Sequence, residues 1–411
     1  MKTSEKKPLS IYIHIPFCVK KCLYCDFLSA PASAQERESY VEALLREIGK
    51  TALFCKEYEV NTVFLGGGTP SLLSGIQLER IMQALKKHYA ISKDAEISME
   101  CNPATASFKT LKAYRKSGVN RLSIGLQSAQ DEELKALGRI HDYEQFLRTY
   151  EEAKKAGFTN INIDLMAALP GQTLASYEDT LQKIIALNPT HISAYSLIVE
   201  EGTPFYEKYG KEEAPKKGEL PDEDTEREMY YRTKKRLQEA GYERYEISNY
   251  AKKGCECLHN LTYWTGKDYV GFGIGAASFF KGYRYKNSSE IKAYEQFLQQ
   301  APEELQAQFL QEKSKGAASF MPQVFDWHEE IQQISEKESM EEFMFLGLRL
   351  NKGVSKQEFW NKYGKSMEEV YPGVLEKLKK EGLLVQTEDR ICLSEKGTDL
   401  ANYVMAEFLL D

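Results

Sequence analysis

Short runs of β-branched and aromatic residues alternate, over the first two hundred positions, with longer stretches whose apolar residues recur every three or four positions. The strand-like runs are SIYIHIP (10–16), NTVFLGG (61–67), EISMEC (96–101), RLSIGLQ (121–127), INIDLMAAL (161–169) and HISAYSL (191–197). Between them the pattern predicts helices over 40–50, 76–89, 108–117, 143–156 and 177–187. Several end in Lys or Arg followed by Gly, as in RKSGV and KKAGF, a normal helix stop. Six such units imply a parallel sheet with helices outside, because parallel neighbours need a long crossover connection. In barrels of this kind chemistry collects where strands end.

The pattern changes after residue 200. Residues 202–222 are rich in Pro, Gly and charge and read as a connection or flap, followed by a helix over 224–240. Two β-like stretches, RYEISNYA and YVGFGIGAASFF, flank CECLHNLTYW. Helical patterns near 340–350, 356–363 and 370–381, a hairpin in GLLVQTEDRICLSEKG and a last helix over 398–409 suggest a small winged-helix-like α+β module. The expected division is 1–200, a linking region 201–319 and a C-terminal domain 320–411.

Length supports more than one domain, since 411 residues exceed the size at which one core usually stops growing. No apolar run approaches the length of a membrane span, and the basic N-terminus leads straight into IYIHIPFC without the features of a signal peptide. The expectation is a cytoplasmic, soluble protein. Residues 321–411 carry 18 Asp/Glu against 11 Lys/Arg, so this segment holds the whole net charge of −7. That sign argues against nucleic acid as a partner of the winged-helix-like module.

Eight cysteines are too few for a disulfide scaffold, but three of them, Cys18, Cys22 and Cys25, fall in a CxxxCxxC directly after a strand that Pro16 ends. Thiolates in a loop at a strand end suit an iron-sulfur cluster; zinc is the chemical rival, but it normally takes four ligands and no nearby fourth is evident. After the second strand comes Gly66-Gly67-Gly68-Thr69-Pro70, whose backbone N–H groups could meet a carboxylate. Glu100, Gln127, Arg139 and Asp164 are polar residues at or just beyond apolar strands, and together at one rim they could form a pocket for a polar ligand. His259 precedes Tyr263 and Trp264; beside aromatics an imidazole is either packed or an axial haem ligand.

Three cysteines leave one iron of a four-iron cluster without a protein ligand. CxxxCxxC in the first βα loop resembles the radical S-adenosylmethionine (SAM) superfamily, in which SAM chelates that iron. The resemblance implies a partial (βα)6 radical SAM barrel, an α/β fold. The runs YIHIPFCVKKCLYCDF, GGGTPS, IGLQS, LGRIHD and NIDLMAALPGQT are similar to the oxygen-independent coproporphyrinogen III oxidase family. HNLTYW, GFGIGAASF and the C-terminal module resemble its haem-chaperone branch.

The resemblance implies that Cys18, Cys22 and Cys25 bind a 4Fe-4S cluster. It implies that Tyr12, Tyr24, Gly67, Gly68, Thr69, Glu100, Gln127, Arg139 and Asp164 line a SAM site, and that His259 ligates haem. The function it implies is binding of haem and its delivery to an acceptor apoprotein, a membrane-bound one included, with a homodimer allowed. The alternative is oxidative decarboxylation of coproporphyrinogen III. The oxidase has a further cysteine where this chain has Phe27, and a longer segment before the cluster loop, where only 17 residues precede Cys18. Both differences favour the chaperone. Cys255 and Cys257 are expected to be loop thiols, Cys55, Cys101 and Cys392 core residues, His14 structural, and Gly271, Gly273 and Gly275 part of a Gly-rich strand rather than a dinucleotide loop.

Overall fold

A computed structural model of the chain describes residues 6–210, 219–299 and 326–410. The stretch 211–218 of the expected connection over 202–222 lies outside the described residues. Six strands, β1 (Lys7–Ile15), β2 (Tyr58–Gly67), β3 (Ala90–Cys101), β4 (Arg121–Gln127), β5 (Asn160–Ala167) and β6 (His191–Ser196), lie side by side in chain order and pair in parallel. Helices connect them, among them Ala34–Thr51, Gly75–His88, Phe108–Ser117, Tyr143–Lys155 and Leu174–Leu187. Capping boxes start several of these helices. Ser33 with Glu36, Ser74 with Gln77 and Asp142 with Gln145 each satisfy backbone donors that the first turn leaves free.

The strands alternate with period two, and the two faces differ in chemistry. Ile11, Ile13, Ile15, Val63, Leu65, Leu122, Ile124, Ile161 and Ile163 are buried in the apolar core shared with the helices. The positions between them are mostly polar. Register places Ser10 beside Thr62, Thr62 beside Glu96, Ser98 beside Arg121, Ser123 beside Asn162 and Asn162 beside His191, so these residues share the other face. Barrels of this class pack side chains inside; here that interior is hydrogen-bonded rather than greasy.

The sheet continues on both flanks. Beyond β6 come β7 (Glu243–Glu246) and β8 (Asn249–Ala251), with β8 antiparallel to β6. Beyond β1 come β9 (Tyr269–Phe272), parallel to β1, then the antiparallel strands β10 (Ala277–Phe280), β11 (Tyr283–Asn287) and β12 (His328–Gln333). Among the described residues the sheet therefore has twelve strands, contributed from both sides of residue 200 and from both sides of residue 320. The described strands between 243 and 287 extend the barrel sheet, and residues 300–325, which hold the expected boundary at 320, lie outside the described residues. Strands of three to six residues carry too little periodicity to announce their partners, and an open parallel edge needs a neighbour for its unpaired backbone.

A second apolar core, with Met344, Phe359, Leu378, Val404 and Phe408, begins only after β12. Around it stand the helices Glu336–Gly347, Lys356–Tyr363 and Val374–Lys380, and a three-stranded antiparallel sheet of Val354–Ser355, Arg390–Leu393 and Leu384–Gln386. This is the winged-helix-like C-terminal domain. The expected final helix divides into Glu395–Asp399 and Ala401–Ala406. The domain meets the barrel through an ion pair of Arg284 with Glu342 at 2.7 Å and through Arg349, which lies 4.3 Å over the Trp264 ring. No helix of the described residues is long and apolar enough to cross a membrane.

Between β8 and β9 the chain forms a short helix, Leu258–Trp264, that the sequence pattern did not predict. Its residues meet the polar inner face of β1 and β2: the Ser10 hydroxyl lies 2.8 Å from that of Thr262, and the Thr62 hydroxyl 2.8 Å from Nδ1 of His259. Seven residues give too few turns for a helical period to stand out.

Candidate functional site

The loop after β1 carries the three cysteines. His14, at the end of that strand, hydrogen-bonds the Leu28 carbonyl through Nε2 at 2.8 Å and the Tyr12 hydroxyl through Nδ1 at 3.0 Å, which ties both ends of the loop to the barrel. Gly67, at φ +112°, passes directly over this imidazole; a Cβ there would stand 2.5 Å from its ring. The Gly68 N–H donates to the Ile15 carbonyl at 2.9 Å, so the glycine turn and the cysteine loop are held together by backbone contacts that a side chain would break.

One cavity of about 410 Å3 opens at these strand ends. Cys18, Cys22, Cys25, Tyr24, Gly67, Gly68, Thr69, Glu100, Gln127, Arg139 and Asp164 all line it, eleven of the thirteen residues singled out in the sequence. Tyr12 lies below, packed near Phe64 and His14. His259 lies deeper, away from the cavity. Sequence reasoning missed Ser123, Met166, Tyr195, Ser196 and Ile198, which also line it. Tyr195 and Ser196 stand at the end of β6, and the strand-end rule that selected Asp164 on β5 could have found them.

The Cys18 thiol lies 3.5 Å from the Thr69 hydroxyl, and Arg139 Nη1 donates to the Cys22 sulfur at 3.7 Å. Arg139 also donates from Nη2 to the Gly125 carbonyl at 2.7 Å, while its buried Nε has no partner among the described residues. Among those residues no three Cys, His, Asp or Glu side chains gather around a single point as one metal ion requires. A cluster takes each thiolate on a separate iron, and three thiolates on one strand-end loop suit it. Gln127 holds a left-handed backbone, φ +72°, at an irregularity in the β4–β5 register. Strain of this kind persists where surrounding structure enforces it.

The acids at the floor are electrostatically loaded. Burial, then the neighbouring Asp164, push Glu100 up to about 8, against a bond from the Gly67 N–H at 3.2 Å. Burial also raises Asp164, opposed by Asn162 at 2.7 Å, by Ser123 and by the Arg121 guanidinium. Two carboxyl groups hindered from ionising, with a guanidinium across the cavity, suit a ligand bearing both a cation and a carboxylate.

His259 is enclosed. Its ring is stacked on Phe64 at 5.1 Å between centroids, and the residue is 1% exposed. Because the Thr62 hydroxyl donates to Ser10, Nδ1 of His259 carries the proton toward Thr62, and Nε2 accepts from the Tyr263 hydroxyl at 2.8 Å. Burial, then the charge of Arg121, push this imidazole down to about 3, so it is neutral at ordinary pH. Glu96 caps the helix from inside the barrel, accepting from the N–H groups of Leu258 at 3.0 Å and His259 at 3.3 Å. Cys257 is fully buried beside Glu96, whereas Cys255 is half-buried; Cys55 and Cys101 are buried, and Cys392 is only half-buried on the small sheet rather than in the core.

A parallel partial barrel with a three-cysteine loop after its first strand, facing a glycine turn and buried acids, defines a radical SAM protein. The Radical SAM superfamily model matches residues 12–184, and the HemN C-terminal domain model matches residues 334–400. The chain is 37% identical to the heme chaperone HemW of Bacillus subtilis (strain 168) over 401 residues, covering 97% of this chain and 99% of that protein. It is 36% identical to the heme chaperone HemW of Lactococcus lactis over 408 residues, with 99% and 98% covered. Its fold resembles that of coproporphyrinogen III oxidase (HemN) from Escherichia coli, with a TM-score of 0.79 and 25% identity over 98% of this chain and 90% of that one. The chain belongs to the heme chaperone HemW family.

Proposed function

We propose that this protein binds haem and delivers it to an acceptor apoprotein, and that it carries a 4Fe-4S cluster and SAM at the strand-end cavity. Cys18, Cys22 and Cys25 hold the cluster. Glu100, Asp164 and Arg139 orient SAM, with the backbone from Gly67 to Thr69, Gln127 and the Tyr24 ring beside it and Tyr12 supporting the floor from below. When bound, the cluster and SAM supply one-electron chemistry. The chain's own contribution is to fix the donors, keep water from the buried acids and hold Arg139 between the cavity and Cys22.

The observation that carries the haem reading is the state of His259. Its imidazole is neutral, in the tautomer that leaves Nε2 with a lone pair, and lies on a helix of the HNLTYW segment. That is the ligating form of histidine. In the enclosed arrangement the lone pair is engaged by Tyr263, so ligation by His259 requires this helix to swing away from β2. The test is His259→Ala in the anaerobically reconstituted protein. Loss or shift of the haem Soret band with the cluster absorbance intact supports the reading; an unchanged haem spectrum and stoichiometry moves the ligand elsewhere.

Delivery rather than catalysis is favoured by Phe27, an apolar side chain 62% exposed that lines the mouth of the cavity where the oxidase has a further cysteine. Reconstituted protein supplied with SAM and reductant should not convert coproporphyrinogen III to protoporphyrinogen IX. Robust anaerobic turnover would place it among the oxidases. A cytoplasmic location, a membrane-bound acceptor and a homodimer belong to the same proposal, and fractionation and crosslinking to acceptor proteins address them.

A further inference from the structure

The interior of the barrel joins the two proposed sites. Asn162 donates from its amide nitrogen to the Asp164 carboxylate at 2.7 Å, at the cavity floor. Its carbonyl oxygen lies 2.6 Å from Nδ1 of His191, and Nε2 of His191 lies 2.9 Å from the Tyr245 hydroxyl. The Cys257 N–H donates to that hydroxyl at 3.2 Å, and Cys257 is the N-cap residue of the Leu258–Trp264 helix. Only one assignment of protons satisfies the whole chain. Since the Asn162 oxygen can only accept, Nδ1 of His191 donates to it; the neutral imidazole then accepts at Nε2, so Tyr245 donates its proton there and its oxygen is left for the Cys257 N–H.

The two central members are shielded from water, with Asn162 at 1% and His191 at 0% exposure, so solvent cannot replace the link between them, while Tyr245 is half-buried. A second connection runs alongside. The buried Arg121 guanidinium feels the charges of both Asp164, at the cavity, and Glu96, which caps the helix.

We propose that His191 and Tyr245 are positioning residues that couple occupancy of the SAM cavity to closure of the helix bearing His259. This rests on the haem reading given above. A cationic ligand at Asp164 keeps that carboxylate ionised, which strengthens the bond it accepts from Asn162 and so holds Asn162, His191 and Tyr245 in the orientation that receives the Cys257 N–H. The helix is thereby held closed, with His259 engaged by Thr62 and Tyr263. SAM and haem are then antagonists, and linkage makes the antagonism reciprocal.

The experiment measures haem affinity by Soret titration of the full-length, cluster-loaded protein with and without SAM, with SAM binding verified by the electron paramagnetic resonance (EPR) spectrum of the reduced cluster. SAM is expected to weaken haem binding by about 5-fold or more in the unmodified protein, the lower end of ordinary coupling. In Tyr245→Phe and His191→Leu, two variants that break the chain at different links so that a folding failure of one leaves the other, the SAM effect should shrink to within about 2-fold. A merely structural role would not remove the SAM dependence while leaving both ligands bound. Equal haem affinity with and without SAM, in a protein whose haem binding His259→Ala still abolishes, overturns the coupling and leaves the haem reading standing. Full SAM dependence in both chain variants overturns the route through His191 and Tyr245. Unchanged haem binding by His259→Ala removes the reading itself, and the proposal with it.

Discussion

The Tyr263 hydroxyl donates to Nε2 of His259 at 2.8 Å, so the lone pair that an iron would take is already occupied by a residue of the same short helix. Haem ligation by His259, as proposed, would require exchange of one partner for the other. In Tyr263→Phe the ring remains to pack and only the donor is lost. A hydrogen bond of this kind is worth roughly 1 kcal/mol, so haem affinity should rise by about 5-fold. Soret titration of the variant checks this, and unchanged or weaker binding would show that Tyr263 assists the bound state instead.

Single replacements of Cys18, Cys22 or Cys25 by Ala should each abolish the brown chromophore after anaerobic reconstitution, because each thiolate is one of the three donors proposed for the cluster. Iron and sulfide analysis decides the matter; full loading in all three variants would remove the assignment.

Glu100→Gln and Asp164→Asn keep shape and remove the charge beside a cationic ligand. Bonds to charged groups contribute about 1.5–3 kcal/mol, so SAM affinity should fall by roughly 10- to 150-fold. The response of the reduced cluster's EPR spectrum to added SAM should weaken in parallel. A response as strong as that of the unmodified protein in both variants would place SAM away from these acids.

A third buried acid gives the protein a pH dependence away from either site. Glu47 accepts from the Gly273 N–H at 2.8 Å, from Asn287 at 2.6 Å and from the Tyr294 hydroxyl, and burial pushes it up to about 7 from an ordinary 4.5. A folded-state value above the unfolded one means that the stabilising contribution is complete below about 4.5 and is lost as pH rises through about 7. The loss is on the order of 3 kcal/mol at most. Urea midpoints should therefore fall between pH 5 and pH 8, and Glu47→Gln should remove only part of that decline. The rest belongs to Glu100, raised further, to about 8, and declining over the same range with the same sign.

Much of the cavity was legible in the chain before any folding was considered. β4 and the helix Phe108–Ser117 occupy the residues that periodicity assigned; β3 begins six residues before its assigned start at 96, and the other barrel strands differ by at most three residues at an end. The reason is local: strand and helix periods, capping pairs such as Ser33 with Glu36, and the CxxxCxxC and glycine turns are written within a few positions of one another. Placement of those turns at strand ends sufficed to bring eleven of thirteen chosen residues to one cavity.

The polar interior was also present as an alternation, in Glu96-Ser98-Glu100, Arg121-Ser123 and Asn162-Asp164, but its meaning was not. A polar position every second residue reads equally as a solvated face or as the lining of a closed barrel, and only curvature of the sheet distinguishes them. His259 shows the same limit more sharply. Its residue type and aromatic neighbours determined that it could bind a metal, whereas its enclosure depends on Thr62, Phe64 and Glu96, between about 160 and 200 positions away in the chain. No local pattern encodes such a partner. Short helix and short strands alike were placed by what they bury and by the backbone donors of the sheet they complete, and these are properties of the assembled barrel alone.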